Sequence, residues 1–231
     1  YAGGTTVSAG TLRVNNTVGS GTGSGPVEIF SGAILTGKGI ITGAVTVDDG
    51  ATFAPGDALG TMFLTNNLTL NDNSILNFYL GTNSSSAVVG GNLVLTGQLN
   101  VTNSPGFGVG AYTLFTYGGA LTFGNLVLAS SLAGYVYSFN TNTPGSVKLI
   151  AAPLTPPHFS AMNLSGTNLM LTVGNGKPLG NLVVLTSTNL FAPLTGWSRI
   201  ATNQFDSLGN FQYTATVDSN SGQRFYSIQV Q

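Results

Sequence analysis

The 231-residue chain has no cysteine and almost no charge: charged residues make up 6% of it, and the net charge is −1. Without cysteine there are no disulfides, thiolate nucleophiles or zinc-thiolate centres, and no lipid-modified N-terminal Cys. A net charge near zero gives no basic field for nucleic acid or an anionic membrane surface, so neither is expected as a partner. No run approaches the roughly 18–20 apolar residues of a membrane helix, so membrane insertion is not expected. A single histidine leaves transition-metal coordination with too few ligands, and no metal or cofactor is expected. The opening Tyr1-Ala2-Gly3-Gly4 has neither a basic nor an apolar leader region, which reads as a mature, trimmed or partial chain.

Glycine, with 33 residues, and abundant Asn, Ser and Thr supply the polarity that charge does not. These residues favour turns and strands over long helices. The 42% hydrophobic content is enough to bury a core, which argues against disorder.

One short phrase recurs: an apolar strand end, two small or polar residues, a glycine, then another strand. It runs Val7-Ser8-Ala9-Gly10-Thr11-Leu12, Ile29-Phe30-Ser31-Gly32-Ala33-Ile34, Val47-Asp48-Asp49-Gly50-Ala51-Thr52-Phe53 and Leu70-Asn71-Asp72-Asn73-Ser74-Ile75. In the fourth copy Asn73 replaces glycine, and asparagine is the other residue that readily takes a positive φ. Leu95-Thr96-Gly97-Gln98-Leu99 is a shortened fifth copy. Gly10, Gly32, Gly50, Asn73 and Gly97 are therefore predicted turn positions. The first three spacings, 22, 18 and 23 residues, have the length of a solenoid repeat. Short strands and no leucine-rich consensus favour an all-β fold: a parallel β-helix (β-solenoid) with Val45, Val47, Phe53, Leu68 and Leu70 stacked inward.

The pattern loosens after Asn103, where strands at 121–123, 126–128, 135–139 and 147–150 are expected to complete the solenoid. Three prolines in Ala151–Pro157 mark a stiff linker. The expected organisation is a solenoid over 1–150, a linker over 151–157 and a small antiparallel β-sandwich over 158–231. Six strands are expected in the last part, near 159–164, 168–173, 182–186, 197–201, 211–217 and 225–230.

The phrases GGTTVSAGTLRVNN, GSGTGSGPVEI, GAVTVDDGATFAPG and NNLTLNDNSILNF resemble the autotransporter-associated β-strand repeat. The last segment, with VLTSTNL, GWSRIATNQFDSLGNFQYT and QRFYSIQV, resembles a C-terminal domain appended to such repeat proteins. The resemblance implies a passenger-type β-solenoid, extracellular or at the cell surface of a Gram-negative bacterium. It brings no catalytic residues onto these positions.

Candidate chemistry is sparse. The acidic residues are Glu28, Asp48, Asp49, Asp57, Asp72, Asp206 and Asp218, and only Asp48, Asp49 and Asp57 fall close together. Paired carboxylates are what a glycosidase needs, but Asp48-Asp49-Gly50 and Pro55-Gly56-Asp57 have turn chemistry, and Lys38 is the only basic residue near them. His158, the only histidine, follows the prolines without a nucleophile motif. The stretch from Gly32 to Gly39 approaches a phosphate-binding loop but lacks its terminal Ser/Thr, and Gly19–Gly25 reads as an inter-strand loop. The expectation is that the protein is not an enzyme. Trp197, Tyr213 and Tyr226 are the candidate glycan platform, although Phe211 and Tyr213 alternate as core residues do.

The leading expectation is an extracellular structural protein assembling head-to-tail with other copies of itself into a filament or surface layer. A first coil starting so near Tyr1 leaves no room for a cap, so its open strand edge is expected to meet another copy. Tyr1, Val7 and Leu12 would contribute there, and Phe225, Ile228 and Val230 could add an edge strand. The alternative is an adhesin-like stalk whose C-terminal domain binds a polysaccharide or host surface.

Overall fold

The computed structural model describes residues 1–130, 132–177, 179–217 and 222–230. The chain divides into two compact units, Tyr1–Leu154 and Thr155–Gln231.

The first unit winds as successive coils. The first contains β1 (Thr5–Val7) and β2 (Thr11–Val14). The second contains β3 (Val27–Ile29), β4 (Ile34–Gly37) and β5 (Ile40–Ile41). The third contains β6 (Val45–Val47), β7 (Thr52–Pro55) and β8 (Gly60–Leu64). The fourth contains β9 (Leu68–Leu70), β10 (Ile75–Leu80) and β11 (Ser85–Val89). In the fifth, one long strand, β12 (Leu93–Asn103), spans two faces before β13 (Gly110–Tyr117).

Every coil-to-coil pairing up to β13 is parallel, and the register keeps like residues in columns. On the first face Thr5 pairs with Val27, Val27 with Val45, Val45 with Leu68 and Leu68 with Leu93. On the second, Leu12 pairs with Leu35, then Phe53, Leu76 and Leu99. On the third, Ile41 pairs with Leu64, Val89 and Tyr117. The two-residue period of each short strand sends these side chains inward and Thr6, Glu28, Thr46 and Thr69 outward. The result is an all-β solenoid with one continuous apolar core from Val14 to Leu149.

Asparagines close the corners between coils. The Asn92 N–H donates to Asn67 Oδ1, and the Ala120 N–H donates to Asn92 Oδ1, both at 2.8 Å. Asn15 and Asn16 likewise accept from the backbone of Lys38 and Ile40 one coil on. Backbone donors that a turn would leave without a partner are satisfied this way, which gives the Asn-rich composition a structural role.

The last coil departs from the expected solenoid. β14 (Leu121–Ser130) stacks parallel on β12, but β15 (Tyr135–Asn140) and β16 (Ser146–Pro153) do not continue the winding. β16 lies antiparallel between β13 and β15. Aromatic rings pack against one another here: Phe107 stacks on Tyr112 at 5.0 Å and meets Tyr135 edge-on at 5.3 Å, and Phe123 lies 5.8 Å from Phe139. Burial pushes the Tyr137 phenol above its ordinary value, and its hydroxyl faces the Leu132 backbone. β16 also takes in Ala151, Ala152 and Pro153 from the expected linker. Pro153 is tolerated because it is the last residue of the strand, beyond Ala151, the last residue paired to β13.

The second unit has β17 (His158–Ser165), β18 (Asn168–Gly174), β19 (Asn181–Ser187), a 3-10 turn at Leu194–Gly196, β20 (Ser198–Gln204), β21 (Phe211–Thr216) and β22 (Phe225–Val230). They form two three-stranded antiparallel sheets, ordered β17-β18-β21 and β20-β19-β22. Val173 and Phe211 of the first sheet and Leu182 and Val184 of the second share one apolar cluster with Phe205. β19 is buried on both faces: Val183 and Leu185 point the other way, under Trp197.

Candidate functional site

The turn positions fall into three kinds. Gly10, Gly32 and Gly50 sit in corners with φ of 78°, 81° and 75°. The Gly32 N–H donates to the Gly50 carbonyl, and the Gly50 N–H to the Asn73 carbonyl, so these corners stack coil on coil. Asn73 occupies the equivalent corner without the expected positive φ. Its turn is closed by the Ser74 N–H donating to the Asn71 carbonyl, and Asp49 Oδ1 accepts its N–H at 2.9 Å. A side-chain acceptor one coil back thus holds Asn73 without left-handed backbone. Gly97 is not a corner between strands: it lies inside β12, at a register shift against β14. Its φ is 100°, and a Cβ there would come within 2.5 Å of the Ser74 carbonyl oxygen.

The acidic candidates are distributed as turn ligands. Asp48 and Asp49 sit between β6 and β7, and Asp57 sits at the next corner, between β7 and β8. Asp48 Oδ1 accepts from the Asn71 amide at 3.2 Å. Asp57 lies 3.4 Å from the Arg13 guanidinium and 3.5 Å from the Asn15 amide, an exposed pair of small energetic weight. Asp49 and Asp72 border an open depression of about 250 Å³ with Asn71 and Thr96. Among the described residues no group of three or more His, Asp or Glu is placed to hold a metal ion. Glu28 faces outward from β3, Asp206 caps its own loop by accepting from the Leu208 and Asn210 N–H groups, and Asp218 lies outside the described residues.

The glycine-rich runs have spent their donors on neighbouring coils. In the stretch from Gly32 to Gly39, the N–H groups of Gly32, Ile34 and Gly39 donate to the carbonyls of Gly50, Gly10 and Val14. A phosphate cradle needs those amides free. In Gly19–Gly25, the Gly21 and Ser24 N–H groups reach Ile40 and Tyr1. His158 is exposed at the start of β17, with Nδ1 3.3 Å from the Pro156 carbonyl and 3.5 Å from the Asn175 side-chain amide.

The three aromatic candidates are not brought together. Trp197 is 8% exposed, packs on Val183 and Leu185, and donates its indole N–H to the Ala192 carbonyl at 2.9 Å. Tyr213 and Tyr226 pack into the cluster on the opposite face of β19. Alternation along β19, with Leu182 and Val184 on one side and Val183 and Leu185 on the other, separates them. The exposed aromatic of this unit is Phe191, 96% exposed on a loop braced by Asn189 and Trp197, and sequence reading missed it. An Asn-x-Phe-x-Pro phrase before a tryptophan is a turn signal that could have drawn attention to it.

The self-assembly candidates divide similarly. Val7 and Leu12 are half-buried at the start of their core columns, and Tyr1 is exposed. Phe225 and Ile228 pack on opposite faces of β22, and Val230 is exposed. The longest strand with an open edge in the first unit is β14. Its only strand partner among the described residues is β12, and it carries ten residues, LTFGNLVLAS, without a charge or a proline. Phe123 and Val127 on it are 39% and 47% exposed.

These observations define an all-β chain of parallel solenoid coils followed by two small antiparallel sheets. No family model and no curated protein matches the chain.

Proposed function

We propose that the chain is an extracellular structural protein whose solenoid units assemble end to end into a filament or surface layer. One observation carries the reading: β14 is a ten-residue, uncharged strand whose outer edge offers a full row of backbone donors and acceptors on two faces. Natural sheets blunt such edges with charge, proline or cover, and β14 has neither charge nor proline. Whatever stands before Tyr1 in a longer polypeptide, this edge belongs to the described chain. The phrases that resemble the autotransporter-associated repeat support an exported bacterial surface protein, with the C-terminal unit read as a small β-sandwich whose two sheets share the core around Phe205.

The reading is tested by sedimentation over a wide concentration range. Wild type is expected to form large species that grow with concentration. Val127→Lys places a charge on the outward, exposed side of β14, where it changes stability by no more than about 0.5 kcal/mol. That variant is expected to stay monomeric with an unchanged melting temperature. A wild type that remains monomeric at every concentration contradicts the reading.

A second reading is favoured by the loop around Phe191: the C-terminal unit as the binding end of an adhesin-like stalk. Leu190 and Leu194 are exposed on the same loop as Phe191, and apolar surface gathered in one place marks a contact surface. Retention on insoluble polysaccharide or on host-cell surfaces is then expected to be lost in Phe191→Ala, while Trp197 fluorescence is unchanged. Equal retention of both proteins, or none by wild type, removes this reading.

A further inference from the structure

The second unit carries an open groove of about 660 Å³, within the roughly 300–1,000 Å³ of small-molecule sites. Thr172 on β18 and Gln212 on β21 are paired in register and supply one side of it. Asn203 and Gln204 end β20, and Asp206 and Asn210 bracket the turn that leads into β21. Phe205 and Phe211 complete the lining, but at 2% and 8% exposure their rings belong to the core.

Backbone bonds fix the shape of this lining. The Asp206 N–H donates to the Asn210 carbonyl at 2.8 Å, and Asp206 Oδ1 accepts from the Leu208 and Asn210 N–H groups. The Gly176 N–H donates to the Gly209 carbonyl at 2.9 Å, which ties the turn to the segment after β18. Both glycines are required there. A Cβ on Gly176 would run into the Phe205 ring, and one on Gly209 into the Gly176 carbonyl. With the backbone donors spent, polar side chains are left to face the groove. The Asn210 and Gln212 amides and Asp206 Oδ2 have no hydrogen-bond partner among the described residues.

We infer that this groove binds a stretch of neutral polysaccharide. Its lining has no Lys, Arg or His to complement a phosphate, sulfate or carboxylate. Its one carboxylate already has an oxygen committed to the turn, too little for a metal ion. Its two aromatic rings are buried, so a lipid or a flat apolar ligand finds no wall to lie on. The side chains that remain suit a ligand rich in hydroxyls. Each amide offers an acceptor oxygen and two donors, and the carboxylate accepts, while every sugar hydroxyl both donates and accepts. A groove braced before the ligand arrives loses little freedom on binding. An open groove also admits a chain that runs on past it. The site needs neither the β14 edge nor the Phe191 loop, with which it shares no lining residue.

The test is binding of the full chain to an array of soluble neutral oligosaccharides of increasing length, followed by calorimetric titration. Wild type is expected to bind at least one series, more tightly as the chain lengthens. Asn210→Ala and Gln212→Ala are each expected to weaken binding about three- to tenfold, the worth of one net hydrogen bond. Both side chains are exposed, so the melting temperature is expected to stay unchanged. Gln212→Trp, which fills the groove from an exposed strand position, is expected to abolish binding, and Phe191→Ala to leave it intact. A wild type that binds no member of the array overturns the inference, as do groove variants that all bind like wild type. Loss in Phe191→Ala alone overturns it too and moves the binding to that loop. Sedimentation of the wild type is unaffected by any of these results, so the assembly reading stands or falls separately.

Discussion

Phe115→Ala is expected to destabilise the first unit by about 3–5 kcal/mol, the range for removing a large buried aromatic. Phe115 projects from β13 on the third face and is fully buried. Its ring stacks on Phe53 of the third coil at 6.2 Å and meets Phe78 of the fourth coil edge-on at 5.3 Å. One side chain therefore ties three successive coils. In a solenoid most contacts link nearest neighbours only, so stability rests on the interfaces between adjacent coils. Truncating Phe115 opens a cavity where two such interfaces meet. Thermal unfolding followed by circular dichroism is expected to show a midpoint lowered by on the order of 10 °C, at about 2–4 °C per kcal/mol for a unit of this size. Phe115→Leu, which keeps most of the volume, is expected to lose far less. A midpoint shift of a degree or two for Phe115→Ala would mean that the coils do not pack as described.

The second large effect is expected at Gly37. Its φ is 119°, and a Cβ there would lie 2.0 Å from the Val14 carbonyl oxygen, which is backbone and cannot swing aside. Gly37→Ala thus combines about 1–3 kcal/mol of backbone strain with an overpacking cost of similar size, and a loss of about 3 kcal/mol or more is expected. Gly32 is the internal comparison. Its φ is 81°, but nothing stands within 4 Å of the added Cβ. Gly32→Ala is expected to cost only the left-handed penalty of about 1–2 kcal/mol. Denaturant melts of the two variants separate close coil approach from turn conformation; equal losses would contradict the stacking of β4 on β2.

The coils were legible in the sequence because period-2 alternation and a repeated corner both constrain short strands. Val45-Thr46-Val47 and Leu68-Thr69-Leu70 read as strands with one outward residue, and they are strands in register. Corners with two small or polar residues before the glycine, such as Asp48-Asp49-Gly50, close through a bond from residue four to residue one. Leu95-Thr96-Gly97 lacks that second residue, so the chain passes the corner as a bulge within β12. Asn73 matched a corner by position but not by conformation, because the Asp49 carboxylate one coil away was invisible to a local pattern. The antiparallel return of β15 and β16 was hidden for a different reason: alternation is identical for parallel and antiparallel strands. Only pairing partners distinguish them, and those are non-local. The candidate aromatics failed as a platform because β19 is buried on both faces, which a run of four apolar residues permits but does not announce.

The open edge of β14 is the feature on which the functional account rests, and the spacing of an assembly tests it most directly. The first face stacks six strands, β1, β3, β6, β9, β12 and β14. Assembly through that edge adds strands at the same spacing, about 4.8 Å along the filament axis. Cryo-electron microscopy of assembled wild-type protein is expected to show filaments with a strand reflection near 4.8 Å along the axis. Particles that stay monomeric, or filaments without that axial reflection, would contradict the account.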